Sequence, residues 1–558
     1  MTLSGLRFIM SKKLEDYSKE ELLAYIRQLH KDTKFGLVWN PKEEKIALDC
    51  KVNIPVLQAV PEKTIAKAND DEPTHLLIEG DNYHSLSVLN YTHAGKVDVI
   101  YIDPPYNTGN KDFIYNDKYV DREDPYRHSE WLSFMDNRLR LAKNLLSDNG
   151  VIFISIDDNE QAHLKILCDT IFGEENFIAQ IIWEKKFSPQ NDAKWFSDNH
   201  DYMLVYGKQK ELWKPIKLPR DLQGASRFSN PDNDPRGDWA SSDMTVRTYS
   251  ANYDYPIKTP SGKEVSPTNG RSWSMPVSKY EELLKDGRIW FGKNGNNVPR
   301  IKTFAAELTE GIVPLTLWKH QEVGHNQEAR QELKKIFDGK GVFDSPKPTR
   351  LIERVLRLTT SPDKPSIILD CFAGSGTTGH AVLKLNQEDG GKRQFILGTD
   401  SGKAEEGGVN IAENITYERI VKVVDGYGNT DAIPANLRYF KTDFVETNGI
   451  SKLTDNDKLE ITKEMGAMIA LRENSFDQIE QTGYWQTYEN ASQVTAIYFR
   501  EDKTMIDEYL DKLNAQDKPV KLYVFGWGKN AGLEYASQKI SVEDIPEPLI
   551  EVYKEIVK

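Results

Sequence analysis

The stretch VDVIYIDPPYNTG, residues 97–109, determines how the rest of the sequence is interpreted. Its first six residues form a largely apolar run without helical periodicity, which is typical of a strand buried on both faces of a parallel sheet. The strand is expected to end at Asp103, because Pro104 and Pro105 fix φ and supply no backbone N–H donor. In open α/β sheets, ligands bind at the carboxyl ends of the strands. The stretch therefore predicts a rigid ledge at that edge, where Asp103 could hold a planar amine and Tyr106 could stack on its ring.

A second segment, SIILDCFAGSGTTGHAV at residues 366–382, has the pattern of a strand, a tight turn and a helix. Gly374 and Gly376 permit close approach of the backbone to a ligand, and the helix N-terminus would face the same ligand. The segment matches neither the GxxxxGK[ST] phosphate loop nor the GxGxxG dinucleotide fingerprint. The next strand ends at Asp400, which is suited to binding ribose hydroxyls. Each of these features, like DPPY, is by itself also compatible with a structural turn or a surface residue.

Composition limits the class of protein. The 558 residues are 39% hydrophobic and 28% charged, which predicts several domains with buried cores. No apolar run is long enough to span a membrane, no secretory leader is evident, and the three cysteines form neither a disulfide framework nor a zinc motif. We therefore predict a cytoplasmic protein without a metal site. The net charge of −14 does not exclude nucleic acid, since residues 181–330 hold 22 Lys and Arg against 19 Asp and Glu, whereas residues 431–558 hold 15 against 23.

Strand–helix alternation occurs on both sides of a middle segment that is rich in Pro, Gly, Asn and aromatic residues. This pattern predicts a doubly wound α/β sheet interrupted by an inserted domain, with a C-terminal α+β domain after it. An amphipathic helix is predicted over residues 14–30. The predicted bounds are 1–60 for an N-terminal helical segment, 61–184 and 326–430 for the two halves of the sheet, 185–325 for the insertion and 431–558 for the C-terminal domain.

The order of the two motifs, DPPY before the insertion and FAGSGTT after it, resembles the β group of S-adenosylmethionine-dependent amino-methyltransferases of DNA. The segments IEGDNYHSLSVL (78–89), GVIFISIDDNE (150–160) and SPKPTRLIERVL (345–356) extend the likeness to the modification subunits of type III restriction–modification systems. The resemblance implies a Rossmann-like methyltransferase sheet. Its first half would be catalytic, its second half would bind the cofactor, and the insertion would be the target-recognition domain.

The resemblance also implies roles for single residues. The catalytic motif corresponds to Asp103, Pro104, Pro105 and Tyr106. The residues expected to contact S-adenosylmethionine are Asp81, Lys347, Pro348, Asp370, Phe372, Gly374, Ser375, Gly376, Thr377 and Asp400. Aspartate in the first position of DPPY, instead of serine, is more similar to the adenine-N6 enzymes than to the cytosine-N4 enzymes.

The implied reaction is direct transfer of a methyl group to adenine N6 of a flipped-out base, without a covalent enzyme intermediate. Asp103 and the Pro104 carbonyl would accept hydrogen bonds from N6, and Tyr106 would stack on the base. The insertion would read the DNA sequence, because Arg and Lys bind both phosphates and guanine edges, although each such residue is also compatible with a solvated surface charge. The candidates for DNA contact are Arg227, Arg236, Arg247, Arg271, Lys293 and Arg300.

The partners implied by the resemblance are double-stranded DNA, a second copy of the chain in a homodimer, and a separate ATP-dependent restriction subunit. Two alternatives stay open. One is a DNA-binding subunit that keeps the methylase fold without activity, and the other is a methyltransferase acting on RNA or on cytosine. A nuclease or helicase role is not expected, because we find neither a Walker loop nor a convincing PD-(D/E)xK pattern.

Overall fold

The computed structural model describes residues 18–19, 39–110, 112–116, 118–218, 228–307, 311–402, 409–526 and 532–556. The helix predicted over residues 14–30 lies outside this part of the chain, apart from residues 18 and 19. The chain divides into two compact units. Unit 1 combines Met1–Lys214 with Thr316–Lys558, and unit 2 is Pro215–Leu315.

The helices and strands are numbered in chain order. Unit 1 begins with α1 (Lys45–Val52), β1 (Ile54–Ala59), β2 (Ile65–Ala66), β3 (Thr74–Glu79), α2 (Asn82–Thr92), β4 (Val97–Ile102), β5 (Ile114–Tyr115), β6 (Lys118–Tyr119), α3 (Arg127–Leu145), β7 (Leu146–Ile156), α4 (Gln161–Phe172), β8 (Phe177–Glu184) and β9 (His200–Gly207). Unit 2 contains β10 (Trp239–Asp243), β11 (Thr245–Val246), β12 (Ile257–Lys258), β13 (Glu264–Val265), β14 (Ser272–Trp273), α5 (Val277–Lys285), β15 (Ile289–Trp290) and β16 (Arg300–Phe304). Unit 1 continues with β17 (Leu317–Trp318), α6 (His320–Val323), α7 (Asn326–Ile336), α8 (Thr349–Thr359), β18 (Ser366–Asp370), α9 (Thr377–Asp389), β19 (Arg393–Thr399), α10 (Glu418–Asp425), β20 (Asn436–Val445), α11 (Asp455–Glu464), α12 (Gly466–Arg472), β21 (Asp477–Gln481), β22 (Trp485–Glu489), β23 (Val494–Tyr498), α13 (Ile506–Asn514), β24 (Val520–Phe525), β25 (Ile540–Ile545) and α14 (Glu547–Ile556).

The main sheet of unit 1 has the strand order β1-β20-β3-β19-β18-β4-β7-β9-β8-β17, with β2 paired to β20. The strands from β20 to β7 are parallel, whereas β9 is antiparallel to both β7 and β8. From β4 the chain continues towards β7, and from β18 it continues in the opposite direction, towards β19. Because such crossovers are right-handed, the two halves place their helices on opposite faces of the sheet. The predicted doubly wound α/β fold is confirmed, and its switch point lies between β4 and β18.

Strand β4 has the bounds predicted from its apolar run, and Val99 and Ile100 are fully buried. It pairs with β18, and the Asp98 carboxylate strengthens this junction by accepting a hydrogen bond of 2.9 Å from the backbone N–H of Ile367. Strand β7 begins five residues earlier than the predicted range 151–156, because its first residue pairs with β4 directly after α3 ends. These strands form the centre of the sheet that positions the site.

Unit 2 consists of short strands in three small sheets, β10-β16-β15, β11-β14 and β12-β13. Its apolar core contains Met244, Ile257, Trp273, Tyr280, Ile289 and Phe291. Unit 2, Pro215–Leu315, is a shorter stretch of chain than the insertion predicted at 185–325. The difference arises because β9 pairs with β7 in the main sheet, so the chain leaves that sheet only after β9.

The end of the chain also contributes to the main sheet. Strand β20 lies between β1 and β3, so the predicted boundary at residue 431 precedes a strand of the main sheet. Strands β21 to β25 then form a separate five-stranded sheet, which packs with α13 around residues such as Trp485, Tyr509 and Leu522. Within the described residues, no helix is both long enough and apolar enough to cross a membrane.

Candidate active site

Four aspartates stand at the carboxyl ends of four consecutive parallel strands. Along the sheet, Asp81 follows β3, Asp400 follows β19, Asp370 ends β18 and Asp103 follows β4. The sequence predicted a functional role for each of them. Parallel strands bring their carboxyl ends to one edge, so the fold gathers four residues from distant parts of the chain around the switch point.

Asp103, Tyr106 and Lys347 form a triangle of two hydrogen bonds and one ion pair at this edge. The Tyr106 hydroxyl donates to Asp103 Oδ1 at 2.9 Å, and Lys347 Nζ lies 2.8 Å from the same oxygen. Lys347 Nζ also donates to the Tyr106 hydroxyl at 2.9 Å and lies 4.9 Å from the centre of its ring. The resemblance implies a place for Lys347 beside the cofactor, and in the structure its side chain contacts two residues of the DPPY motif. Its backbone carbonyl accepts from Thr377 Oγ1 at 3.2 Å, so Lys347 joins the DPPY motif to the glycine-rich segment.

The bonding pattern around DPPY leaves particular acceptors available. Burial and the negative charge of Asp103 raise the pKa of Tyr106 well above its ordinary value, so the phenol keeps its proton and donates to Oδ1. The Pro105 carbonyl accepts from Trp131 Nε1 at 2.7 Å. Within the described residues, no group donates to Asp103 Oδ2 or to the Pro104 carbonyl. These two oxygens are therefore available to an incoming donor.

The glycine-rich turn connects β18 to α9 as predicted from the sequence. Gly374 and Gly376 have φ of +48° and +74°, values that favour glycine, and Gly376 caps α9. Asp370 is buried and accepts from the Phe372 N–H at 3.0 Å and from Thr378 Oγ1 at 2.6 Å, which fixes the start of the turn. Burial is the main cause that raises the pKa of Asp370 to about 7, and the charge of Asp103 adds to it.

Arg419, a buried arginine that was not predicted from the sequence, donates hydrogen bonds to the glycine-rich turn and to the start of α9. Arg419 in α10 is 1% exposed. It donates to Thr377 Oγ1 at 2.8 Å, to the Ser375 carbonyl at 3.3 Å and to Thr349 Oγ1 at 3.1 Å. Its guanidinium therefore ties together the glycine turn and the start of α8, the helix that follows Lys347 and Pro348. No sequence motif marks this residue, because its partners are distant in the chain.

Asp81 and Asp400 form the part of the edge that lies farthest from DPPY. Asp81 caps α2 by accepting from the Tyr83 N–H at 2.7 Å, and its carboxylate lies 3.3 Å from the buried guanidinium of Arg138. Solvent reaches the side chain of Asp400, yet the protein around it, and then the charge of Asp81, raise the pKa of Asp400. The two carboxylates thus lie near each other at an open part of the edge.

A hydrogen-bonded cluster holds the residue after Tyr106. Asn107 is fully buried in a left-handed conformation, with φ of +57°, and its Nδ2 donates to Glu160 Oε1 at 2.5 Å. His128 Nδ1 and His163 Nδ1 bond to the two oxygens of Glu160 at 2.6 and 2.9 Å. Burial raises the pKa of Glu160 to about 8. Histidine and glutamate are also metal-ligating residue types, but here they bond directly to one another and fix the loop that carries Tyr106.

The cations proposed to contact DNA differ in their surroundings within unit 2. Arg236 lies 2.9 Å from Asp234 and 3.1 Å from Asp286, and it packs over the ring of Phe304 at 4.2 Å, which indicates a structural role. Arg271 lies 3.5 Å from Asp243. The exposed residues of the set are Arg247, Lys293 and Arg300. Arg227 lies outside the described residues.

The family to which this architecture belongs follows from a comparison with family models. The model described as DNA methylase matches residues 97–412, more than half of the chain and a span that begins at β4 and includes both motifs. The chain belongs to the DNA methylase family. This membership confirms the resemblance on which the interpretation of DPPY and FAGSGTT was based.

Individual relatives of this DNA methylase include type III modification subunits. The StyLTI Mod subunit of Salmonella typhimurium is 37% identical over 64% of this chain and 58% of the relative. The EcoPI Mod subunit of Escherichia phage P1 is 32% identical over 68% of this chain and 66% of the relative. The type II methyltransferase M.KpnI of Klebsiella pneumoniae is 35% identical over 64% of this chain and 89% of the relative. The aligned part thus spans less than two thirds of the two Mod subunits.

Proposed function

We propose that this DNA methylase is a site-specific enzyme that transfers a methyl group from S-adenosylmethionine to N6 of a flipped-out adenine in double-stranded DNA. The observation that carries the proposal is that Asp103 follows β4 and Asp370 ends the neighbouring paired strand β18, with Lys347 bonded to both motifs. A methyl donor and an acceptor amine held at this edge would be close enough to react.

The residues of the second half fit the proposed cofactor. S-adenosylmethionine, when bound, supplies an electrophilic methyl group on a positively charged sulfonium. Gly374 and Gly376 allow the backbone to approach a ligand, and a Cβ on Gly374 would come within 3.2 Å of Phe343. The carboxylate of Asp400, which solvent reaches, is suited to ribose hydroxyls, and Asp81 lies beside it. The carboxylates along the edge also favour a cationic ligand over an anionic one.

The side chains of the first half are suited to bind and orient the target amine. Asp103 Oδ2 and the Pro104 carbonyl would accept hydrogen bonds from N6, which favours a localised lone pair on the nitrogen. The N6–CH₃ bond forms as the S–CH₃ bond breaks, and N6 then releases one proton, for which the Asp103 carboxylate is the adjacent acceptor. Lys347 and Tyr106 hold that carboxylate in place through Oδ1, so much of the acceleration would come from positioning. Stacking on Tyr106 requires the base to leave the duplex.

The partners of the chain are part of the proposal. The likeness to the StyLTI and EcoPI Mod subunits supports a modification subunit of a type III system. Such a chain would act as a homodimer, pair with an ATP-dependent restriction subunit and work in the cytoplasm. The acidic C-terminal region is a reasonable contact surface for a protein partner. Unit 2 would read the sequence of the DNA, with Arg247, Lys293 and Arg300 as its exposed cations.

The test combines product identification with one variant. The purified protein is incubated with labelled S-adenosylmethionine and unmodified DNA. One portion of the product is digested to nucleosides, and long-read sequencing of an undigested portion locates the modified site. N6-methyladenosine in its deoxy form is the expected product. Asp103→Ala should abolish transfer while cofactor binding, measured by calorimetry, stays unchanged. Asp363→Ala, at an exposed aspartate outside the site, is the matched control.

Each alternative gives a different result. Modified cytosine, or transfer to RNA alone, would support the alternative substrates. Cofactor binding without transfer to any nucleic acid would support a DNA-binding subunit that lacks activity. Near-normal methylation by Asp103→Ala would refute the role of the carboxylate.

A further inference from the structure

The connection between β8 and β9, residues 185–199, exposes large aromatic side chains. Trp195 is 82% exposed and Phe196 is 95% exposed. Phe187, near the start of the connection, is 53% exposed and stacks on His320 with ring centres 4.8 Å apart. Aromatic residues this large are usually buried, and neighbouring exposed ones commonly mark a binding surface.

The topology places this connection at the same edge of the sheet as Asp103. Strand β7 is parallel to β4, so both end at that edge, and the last residue of β7, Ile156, pairs with Tyr202 near the start of β9. Glu184 at the end of β8 pairs with His200. The connection therefore leaves the sheet on the side of the candidate active site, with its ends two and three strands from β4, which corresponds to about 10 and 14 Å at the usual spacing.

The base of the connection touches the electrostatic surroundings of DPPY. Lys185 Nζ lies 2.7 Å from Asp201 and 2.8 Å from Asp198, so it ties the two ends of the connection together. Burial chiefly raises the pKa of Asp201, with Lys347 opposing that shift and Asp103 adding to it. Asp201, at the base of the connection, is thus close enough to Asp103 and Lys347 for their charges to affect it.

The connection combines exposed aromatic rings with two lysines, Lys186 and Lys194, against one further acidic residue, Asp192. The Gln190 N–H donates to Ser197 Oγ at 2.8 Å, which closes the chain into a loop that carries both exposed rings. Lys194 Nζ lies 5.0 Å from the Trp195 ring centre. Within the described part of the chain, no carboxylate lies within 4.0 Å of Nζ of Lys186 or Lys194. Rings flanked by lysines match the chemistry of a nucleic acid, whose bases stack and whose phosphates are negative.

We propose that Trp195 and Phe196 insert into the DNA duplex at the target base pair and occupy the space that the flipped adenine leaves. This inference rests on the proposed function, because an extruded base is what makes the space. Apolar wedges that enter between base steps open them by partial unstacking. The loop would therefore lower the cost of opening the pair, while Tyr106 receives the base on the other side of the opening.

The experiment uses the full chain and the site found by long-read sequencing. The double variant W195A/F196A is compared with the unchanged protein on two duplexes. In one, the target adenine is paired with thymine. In the other, it faces an abasic position, so that the pair is already open. The matched control is Ile479→Ala, a 46% exposed side chain of β21 in the separate C-terminal sheet.

The expected result is specific to base opening. On the paired duplex, W195A/F196A should lose roughly 10- to 100-fold in kcat/KM, because removing the stacking of one base on an aromatic ring changes an equilibrium constant by about that factor. On the abasic duplex most of the loss should disappear, and cofactor binding should be unchanged in the variant. Fluorescence of 2-aminopurine at the target position should rise with the unchanged protein and with Ile479→Ala, but not with the double variant.

Three outcomes would overturn the inference. Full activity of the double variant on the paired duplex would show that Trp195 and Phe196 do not open the base pair, and would favour a protein as the partner that they contact. An equal loss on both duplexes would assign the two residues to general DNA binding instead of base opening. An unchanged protein that methylates no DNA would remove the proposed function and this inference together, whereas the first two outcomes leave the proposed function intact.

Discussion

Replacing Lys347 with methionine tests whether this lysine serves the target amine or the cofactor. The substitution keeps an unbranched side chain that is one atom shorter, and it removes the ammonium that lies 2.8 Å from Asp103 Oδ1 and 2.9 Å from the Tyr106 hydroxyl. A charge-assisted hydrogen bond contributes about 1.5–3 kcal/mol. Because the two side chains are 11% and 24% exposed, we take the lower part of that range, about 1.5–2 kcal/mol. The methyl-transfer rate should therefore fall roughly 10- to 30-fold.

The assay is a single turnover at saturating S-adenosylmethionine and DNA, which reports the chemical step apart from binding. A double-mutant cycle with Tyr106→Phe should show coupling of roughly 0.5–3 kcal/mol between the two substitutions, because both side chains bond to the same carboxylate oxygen. Lys384→Met is the matched control, since Lys384 also forms an ion pair, with Glu353 at 2.7 Å, but lies on α9 outside the triangle. An unchanged single-turnover rate with weaker cofactor binding would refute the reasoning and return Lys347 to the cofactor, as the family resemblance implied.

Three further predictions concern the glycine turn, its buried support and the response to acid. Gly376→Ala should weaken S-adenosylmethionine binding at least tenfold in calorimetry, because φ of +74° disfavours a side chain and the new Cβ would lie 3.2 Å from a methyl group of Thr416. The control variant Gly390→Ala, with φ of +71° and open space around the new Cβ, should bind the cofactor normally. Equal effects of the two substitutions would contradict this prediction. Arg419→Met should lower the free energy of unfolding by about 3 kcal/mol in urea titrations, because it leaves buried hydroxyls without their donor, and a loss below about 1 kcal/mol would count against that support. Burial lowers the pKa of three histidines from 6.5 to about 3 or 4, so the folded state is most stable above pH 6.5, where these histidines are neutral in both states, and it loses stability as the pH falls. At pH 5.5 each histidine should lower the free energy of unfolding by about 1.4 kcal/mol. Equal free energies of unfolding at pH 7.5 and pH 5.5 would exclude the effect. The histidines with these values are His75, His84 and His93.

The features that could be predicted from the sequence are those determined by neighbouring residues. Strand β4 was predicted with its observed bounds, because an apolar run followed by two prolines specifies both a buried strand and its end. The turn before α9 was equally evident, since Gly374 and Gly376 adopt positive φ that few other residues tolerate. The doubly wound fold followed from the alternation of such local elements.

The features that could not be predicted depend on contacts between distant residues. Strand β9 follows a polar, aromatic-rich connection whose composition resembles the insertion, yet its pairing with β7 places it in the main sheet. The direction of the Lys347 side chain depends on the approach of β4 to β18. Glu160 precedes an ordinary helix in the sequence, and only the folded chain brings Asn107 and His128 to its carboxylate.

The strand neighbours β4 and β18 are encoded on opposite sides of unit 2, and this order has a consequence for expression. Within the described residues of Pro215–Leu315, a break in the polypeptide would cut no strand of the main sheet. Two fragments produced from separate genes could therefore reassemble into a working enzyme. Either fragment alone would expose the unpaired edge of β4 or β18, which would attract other strands and favour aggregation. If activity returns only when both fragments are produced together, the pair is a split version of this methylase. Its activity could then be controlled by fused domains that bring the two fragments together.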